Sequence, residues 1–260
     1  MTEKTAMYEC LTEFREPLLR PLIRGLNLPP GSRGLDAGCA VGRITRWLSE
    51  AAAPDGRVTG LDLSEEFIAY AEKTIRAPGL DFIQADYRSL PYDECTFDWI
   101  WSADALWPAE NPGGILKEFN RVLRPGGTLI LLYWSSQKLL PGYPLLEARL
   151  NTTSSATAPY REEMNPEHHI FNGRLWLRQA GFRSLSAATF PGDISAPFGG
   201  NDRKALNYLF AMLWEESVDE MTAADRKKYR RLCLPGSPES VLNNVDYYGF
   251  YTYTVLKGVK

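Results

Sequence analysis

The sequence predicts an α/β fold, a doubly wound parallel sheet with helices on both faces. From Arg33 to Trp134, short apolar, β-branched runs alternate with segments of helical periodicity, and that rhythm requires right-handed crossovers between parallel strands. The first strand empties into a glycine-bearing turn and then a helix, Arg33 to Trp47, RGLDAGCAVGRITRW. Successive strands end on polar residues, Asp36, Asp62, Asp86 and Ser102, at the carboxyl edge where such sheets bind ligands.

The elements follow in order. Thr12 to Gly25 places Phe14, Leu18, Leu19, Leu22 and Ile23 at helical spacing. Pro17 and Pro21 predict one or two short helices there, not one straight rod. Leu28-Pro29-Pro30-Gly31 delivers the chain to the opening strand. After the glycine turn, Ile44, Trp47, Leu48 and Ala51 share a helix face that Pro54-Asp55-Gly56 ends. Arg57 to Leu63 is the second strand. Ser64 caps the next helix, with Glu65 and Glu66 in the first turn where the dipole favours them and Phe67, Ile68, Ala71 and Ile75 as its buried stripe. Leu80 to Ala85 and Thr96 to Ser102 are the third and fourth strands, and Ile115, Leu116, Phe119, Val122 and Leu123 mark the helix after them. Arg124-Pro125-Gly126-Gly127 launches a fifth strand, Thr128 to Trp134.

Beyond Trp134 the rhythm changes. Ser135 to His169 reads as polar and loop-rich, with one helix around Leu145 to Leu150, the pattern of a lid or binding loop. Asn172 opens a helix to Ala180, Gly181 stops it, and Phe182 to Phe190 is a sixth strand. Asp202 to Leu232 holds two helical segments. Tyr247 to Leu256, YYGFYTYTVL, is a final strand.

Composition bounds the function. The 260 residues are 44 % apolar and 23 % charged, enough to bury a core in one large domain or a core with an inserted cap. A net charge of −3 argues against a nucleic-acid partner, which needs a basic stripe to neutralise phosphates. The densest basic run, Arg226-Lys227-Lys228 with Arg230-Arg231, reads as the solvated face of a helix. Cys10, Cys39, Cys95 and Cys233 lie far apart, so reduced thiols and no metal site are expected. MTEKTAMYEC has neither a basic nor an apolar leader region, and no window approaches the roughly 18 apolar residues of a membrane span. The expectation is a soluble, cytoplasmic chain.

A glycine turn followed about 20 residues later by an acid fits a dinucleotide or an adenosine-bearing small molecule. Asp62 is placed to accept from both ribose hydroxyls. The dinucleotide fingerprint wants a third glycine, however, and that position is Arg43.

Four stretches carry a resemblance: LDAGCAVGRIT (Leu35 to Thr45), GLDLSEEFI (Gly60 to Ile68), FIQADYRSLPYDECTFDWIWS (Phe82 to Ser102) and EFNRVLRPGGTLILLYW (Glu118 to Trp134). In this order they resemble the class I S-adenosylmethionine-dependent methyltransferases, in particular the ubiquinone and menaquinone biosynthesis branch. The resemblance covers Arg33 to Trp134 well and Asn172 onward loosely. It implies a mostly parallel seven-stranded sheet whose last strand is antiparallel, with S-adenosyl-L-methionine as cofactor. It implies that Asp36 and the Gly38 to Gly42 turn hold the methionine part, and that Asp62 binds the ribose with Leu63 beside the adenine. Asp86 would accept from the adenine amino group, and the Tyr87 backbone N–H would meet a ring nitrogen. Ser102 would sit near the sulfonium and Tyr8 would close over the cofactor. The family's middle glycine is Ala40 here, and its methyl is tolerable if the local φ is negative.

Residues 1–260 thus read as one methyltransferase domain: an N-terminal helical segment (1–30), a cofactor core (31–134), and two substrate-cap insertions (135–171 and 196–244). The aromatic content of the insertions points to a small-molecule acceptor with an apolar or ring component. Trp99 and Trp101 read as core. Trp107 and Trp134, beyond strand ends, are candidates for the substrate pocket, as are His168 and His169, the only histidines. In-line transfer from a sulfonium needs no dedicated base, because positioning alone can supply about 7–11 kcal/mol. The residues leave two rivals open, a non-catalytic S-adenosylmethionine-binding module and a dinucleotide-dependent oxidoreductase.

Overall fold

The computed structural model describes residues 1–106, 112–153, 167 and 169–260. Its strands are β1 (Arg33–Ala37), β2 (Arg57–Asp62), β3 (Leu80–Gln84), β4 (Phe97–Ala103), β5 (Leu123–Lys138), β6 (Arg183–Ser195) and β7 (Tyr248–Val259). Its helices are α1 (Glu3–Arg24), α2 (Arg43–Ala51), α3 (Glu65–Thr74), α4 (Pro112–Val122), α5 (Pro144–Asn151), α6 (Gly173–Gln179), α7 (Asp202–Trp214) and α8 (Ala223–Cys233). The strands form one sheet in the order β3-β2-β1-β4-β5-β7-β6. The first five pair in parallel, and β7 lies antiparallel between β5 and β6. This is the expected seven-stranded, mostly parallel arrangement. Strand order reverses between β1 and β4, which opens a crevice at their carboxyl ends.

Alternation along each strand divides the core between two faces. Trp99, Trp101, Ile130, Leu132, Tyr253 and Val255 pack with α1, α2, α5, α7 and α8. Leu35, Ile100, Leu129, Leu131 and Tyr133 pack with α4 and α6. Trp99 and Trp101 are core residues, as their spacing predicts, and the Trp99 indole donates to Ser32 Oγ at 2.9 Å. On α7, Leu206, Leu209, Phe210, Leu213 and Trp214 are buried, and each such side chain contributes roughly 1.5–3 kcal/mol.

Three local expectations are corrected. Helix α1 is one unbroken rod of 22 residues, capped by Thr2, whose side chain accepts from the Thr5 amide. Pro17 and Pro21 are both exposed and one turn apart, so the carbonyls they leave unpaired face water, while Leu18, Leu19 and Ile23 anchor the other face. Strand β5 continues past the expected end at Trp134 to Lys138, because β7 offers a long antiparallel partner, with Trp134 opposite Tyr253 and Lys138 opposite Phe250. Residues 135–138 are therefore strand, not loop. Helix α3 stops at Thr74, and Ile75 is extended instead of joining its buried stripe. Among the described residues, no helix is long and apolar enough to cross a membrane.

Candidate active site

A cavity of about 1060 Å³ lies at the carboxyl ends of β1, β2, β4 and β5, with α1 across it. Its floor is the turn between β1 and α2. Gly38 and Cys39 donate their amides to the Leu61 carbonyl at 2.7 and 2.9 Å, which pins the turn to β2. Gly38 has φ +87°, and a Cβ there would sit 2.4 Å from the Ala105 Cβ, so glycine lets the segment after β4 approach. Gly42, at φ +80°, starts α2 with no side-chain cap, leaving the positive helix end open toward the cavity side. Gly42 itself is not part of the cavity wall, contrary to expectation. A Cβ there would lie 2.6 Å from the Phe82 ring, so its smallness serves packing.

Ala40 lines the cavity with φ +46°. The negative φ that would make the methyl tolerable is not found, and the methyl sits in the left-handed region that disfavours side chains. The Ala40 amide donates to Asp62 Oδ2 at 2.9 Å, while Asp62 Oδ1 accepts from the Ser64 amide at 2.9 Å. Each carboxylate oxygen of Asp62 thus has one backbone partner and retains capacity for a second donor.

Asp36 is buried at 2 % exposure and accepts from Thr45 Oγ1 at 2.7 Å. Burial pushes its carboxyl up to about 7, partly offset by the Thr45 hydrogen bond and reinforced by the negative charge of Asp62. Asp86 also lines the cavity, but Arg88 engages it through its amide at 2.8 Å and its guanidinium at 2.6 Å. The Arg88 side-chain hydrogen bond, chiefly, holds the Asp86 carboxyl below its ordinary range. Tyr87 lines the same end and donates its hydroxyl to the Ala105 carbonyl at 2.9 Å. Leu63 is 63 % exposed at the rim. Ser102 does not reach the cavity: it is buried, and its hydroxyl donates to the Ala37 carbonyl at 2.8 Å between β1 and β4. The chain runs on past it, so Ala103 and Asp104 face the cavity instead.

Tyr8 reaches the cavity from α1 and packs on Phe67 with ring centroids 4.8 Å apart. Burial, foremost, raises its phenol above the ordinary value. Helix α1 is tied down by Arg43 to Glu9 at 2.9 Å and Arg20 to Glu50 at 2.7 Å. Trp134 and His169 line the other end. Trp134 stacks on Tyr251 at 4.7 Å and 8°, and its indole donates to Gln137 Oε1 at 2.7 Å. Gln137 in turn donates to Asn151 Oδ1 at 3.0 Å, which also receives the Trp214 indole at 2.7 Å. Trp107 and His168 lie outside the described residues.

Sequence reasoning missed a polar cluster in the middle of the cavity. Arg15 Nη1 donates to Asp104 Oδ2 at 3.0 Å and to the Tyr253 hydroxyl at 2.8 Å. Tyr253 donates to the same Asp104 oxygen at 2.6 Å, and the Trp134 amide donates to Asp104 Oδ1 at 2.9 Å. These residues come from α1, the end of β4 and β7. The available signal was small: Asp104 stands two places after the expected strand-end Ser102.

Comparison with known proteins bears on the family and the fold. The family described as Methyltransferase domain matches residues 35–131. A demethylmenaquinone methyltransferase of Staphylococcus carnosus is 30 % identical over 196 residues, covering 70 % of this chain and 81 % of that protein. Among solved structures, a SAM-dependent methyltransferase from Aquifex aeolicus superposes with a TM-score of 0.53 at 20 % identity, over 72 % of this chain and 91 % of that one. The Haemonchus contortus phosphoethanolamine N-methyltransferase 2 in complex with S-adenosyl-L-methionine gives a TM-score of 0.55 at 15 % identity, over 93 % and 52 %. At these identities the two structures speak to the fold, and the Staphylococcus relative speaks to the family. The chain is an S-adenosylmethionine-dependent methyltransferase and belongs to the class I family of those enzymes.

Proposed function

We propose that this enzyme methylates a small-molecule acceptor with a ring or apolar component, held in the part of the cavity farthest from the glycine turn. The observation that carries the reading is the wall of that part. Trp134, fixed on Tyr251 at 4.7 Å, faces a space also bounded by Phe171, Leu209, Met212 and Leu213. A rigid indole backed by a second ring presents a flat apolar surface at little entropic cost. The stretches 139–171 and 196–244 would then act as a substrate cap, with α5 and α7 joined to Trp134 through Gln137 and Asn151.

The residues at the turn fit S-adenosylmethionine. The uncapped start of α2 suits the methionine carboxylate, and Asp36 lies beneath the turn to face the ammonium. Asp62, with an accepting position spare on each oxygen, suits two ribose hydroxyls, and Leu63 would cover the adenine. Asp86 and the Tyr87 amide would read the adenine edge, with Arg88 keeping Asp86 ionised. Tyr8 would close over the cofactor from α1. The cofactor supplies a methyl group on a positively charged sulfur that leaves readily. The chain's own residues bind and align the two partners and exclude water, which supplies much of the barrier lowering without a dedicated base.

Incubation with S-adenosylmethionine and a panel of acceptors, read by mass spectrometry for S-adenosylhomocysteine and methylated product, tests this. Demethylmenaquinone, named for the Staphylococcus carnosus relative, is the first member of the panel. Turnover confined to ring-bearing acceptors supports the reading; turnover confined to small acyclic polar acceptors overturns it.

A further inference from the structure

Methyl transfer as derived above leaves the Arg15, Asp104 and Tyr253 cluster without a task. The cluster is no surface accident. Tyr253 is fully buried, and the Arg15 and Asp104 side chains retain only 16 % and 33 % exposure. Asp104 adopts φ +54°, a conformation that an aspartate tolerates at some cost and that needs surrounding structure to hold it. The result is a carboxylate on the cavity wall with three donors fixed on it: Arg15, Tyr253 and the Trp134 amide. A carboxylate has about four accepting positions, so one remains among the described residues. Arg15 uses Nε on the Leu11 carbonyl at 3.0 Å and Nη1 on Asp104 and Tyr253, while among the described residues Nη2 makes only a 3.5 Å contact with Thr12 Oγ1. The cavity therefore presents one spare anionic acceptor beside one spare cationic donor, next to the Trp134 indole.

We infer that Asp104 and Arg15 are the specificity-determining pair for the methyl acceptor, and that they select a ring carrying a hydroxyl group. This inference rests on the assignment of the Trp134 side of the cavity to the acceptor, which the cluster meets through the Trp134 amide. A hydroxyl complements the pair because it donates to Asp104 and accepts from Arg15. An ammonium group would donate to Asp104 but bring a second positive charge against the guanidinium. An ether could not donate, and would leave the Asp104 acceptor desolvated and unpaired. Tyr253 is a positioning residue: its hydroxyl holds Asp104 and Arg15 in register and touches the acceptor through neither.

Binding of three probes with the same ring system tests the inference: 2-naphthol, 2-methoxynaphthalene and 2-naphthylmethylamine. Each is titrated into protein saturated with S-adenosylhomocysteine near neutral pH. The wild type is expected to bind 2-naphthol about tenfold more tightly than either analogue, the equivalent of about 1.4 kcal/mol. In Asp104→Asn the single carbonyl oxygen is claimed by the existing donors, so the preference should shrink to within about threefold while S-adenosylhomocysteine affinity stays within about threefold. Tyr253→Phe keeps the ring and packing, and should lose part of the preference in the same direction. Equal binding of the three probes, no binding of 2-naphthol, or an undiminished preference in both variants would overturn the inference while leaving the cofactor site intact. Failure of the wild type to bind S-adenosylhomocysteine would instead overturn the site assignment on which it rests.

Discussion

The Ala40 amide donates to Asp62 Oδ2 at 2.9 Å across 22 residues of sequence, tying the turn after β1 to the end of β2. A backbone group that orients a carboxylate fixes where that carboxylate can accept further donors. Asp62→Ala removes both the orientation and the charge. S-adenosylhomocysteine affinity is expected to fall by about 30-fold or more, since each hydrogen bond to a charged group is worth roughly 1.5–3 kcal/mol. Calorimetric titration with a circular-dichroism check of folding measures it, and a loss below about threefold would detach Asp62 from the ligand.

Two positions in the same turn should respond in opposite directions. Ala40 has φ +46°, so Ala40→Gly relieves a left-handed cost of roughly 1–2 kcal/mol, less the added chain entropy of glycine. A rise of a few degrees in Tm, with cofactor affinity kept or improved, is the expected outcome. Gly42→Ala places a methyl 2.6 Å from the Phe82 ring at φ +80°, and should cost about 2 kcal/mol or more. Thermal melts of the two variants side by side decide this.

Asp36 makes the ligand-free protein sensitive to pH. Its carboxyl is raised to about 7, chiefly by burial, so between about pH 4 and about 7 the folded state keeps a proton that the unfolded chain has released. Stability should therefore decline as pH rises through that window, by as much as about 4 kcal/mol in all, at ~1.4 kcal/mol for each pH step of one crossed. Asp36→Asn still offers an oxygen to Thr45 and should flatten the slope. Urea denaturation of both proteins from about pH 5 to about pH 8 tests it; parallel slopes would show that another group titrates.

Trp134 joins the cavity wall to the cap through its indole N–H. Trp134→Phe keeps an aromatic surface against Tyr251 but removes the hydrogen bond to Gln137, and so loosens the chain of contacts to Asn151 and Trp214. KM for a ring acceptor should rise by about three- to tenfold, while S-adenosylmethionine affinity is unchanged, consistent with one buried hydrogen bond of about 1 kcal/mol. Steady-state kinetics separate the two effects.

The glycine turn and the strand ends that line the cavity were legible because their signals are local. Each strand of Arg33 to Trp134 carries its own apolar run, and Gly38, Asp62 and Asp86 stand at positions that strand ends and turns fix over a few residues. The polar cluster in the middle of the cavity was not, because its contacts are distant in sequence. Arg15, Asp104 and Tyr253 meet only when α1 crosses the sheet and β7 inserts beside β5. In sequence they read as one charge on an amphipathic helix, one acid past a strand and one tyrosine in an aromatic run. Ser102 misled for a related reason: a strand end located to within a residue does not say which of two successive side chains faces the cavity. The continuity of α1 through two prolines likewise depended on both facing water, which only the packed helix decides.

The most direct test of the account is mass spectrometry of the small molecule that survives gentle purification, followed by calorimetry with the same compound. The account predicts S-adenosylmethionine or S-adenosylhomocysteine bound one to one, with affinity lost in Asp62→Ala. Retention of a nicotinamide dinucleotide, or no binding of either sulfur compound on addition, would contradict it.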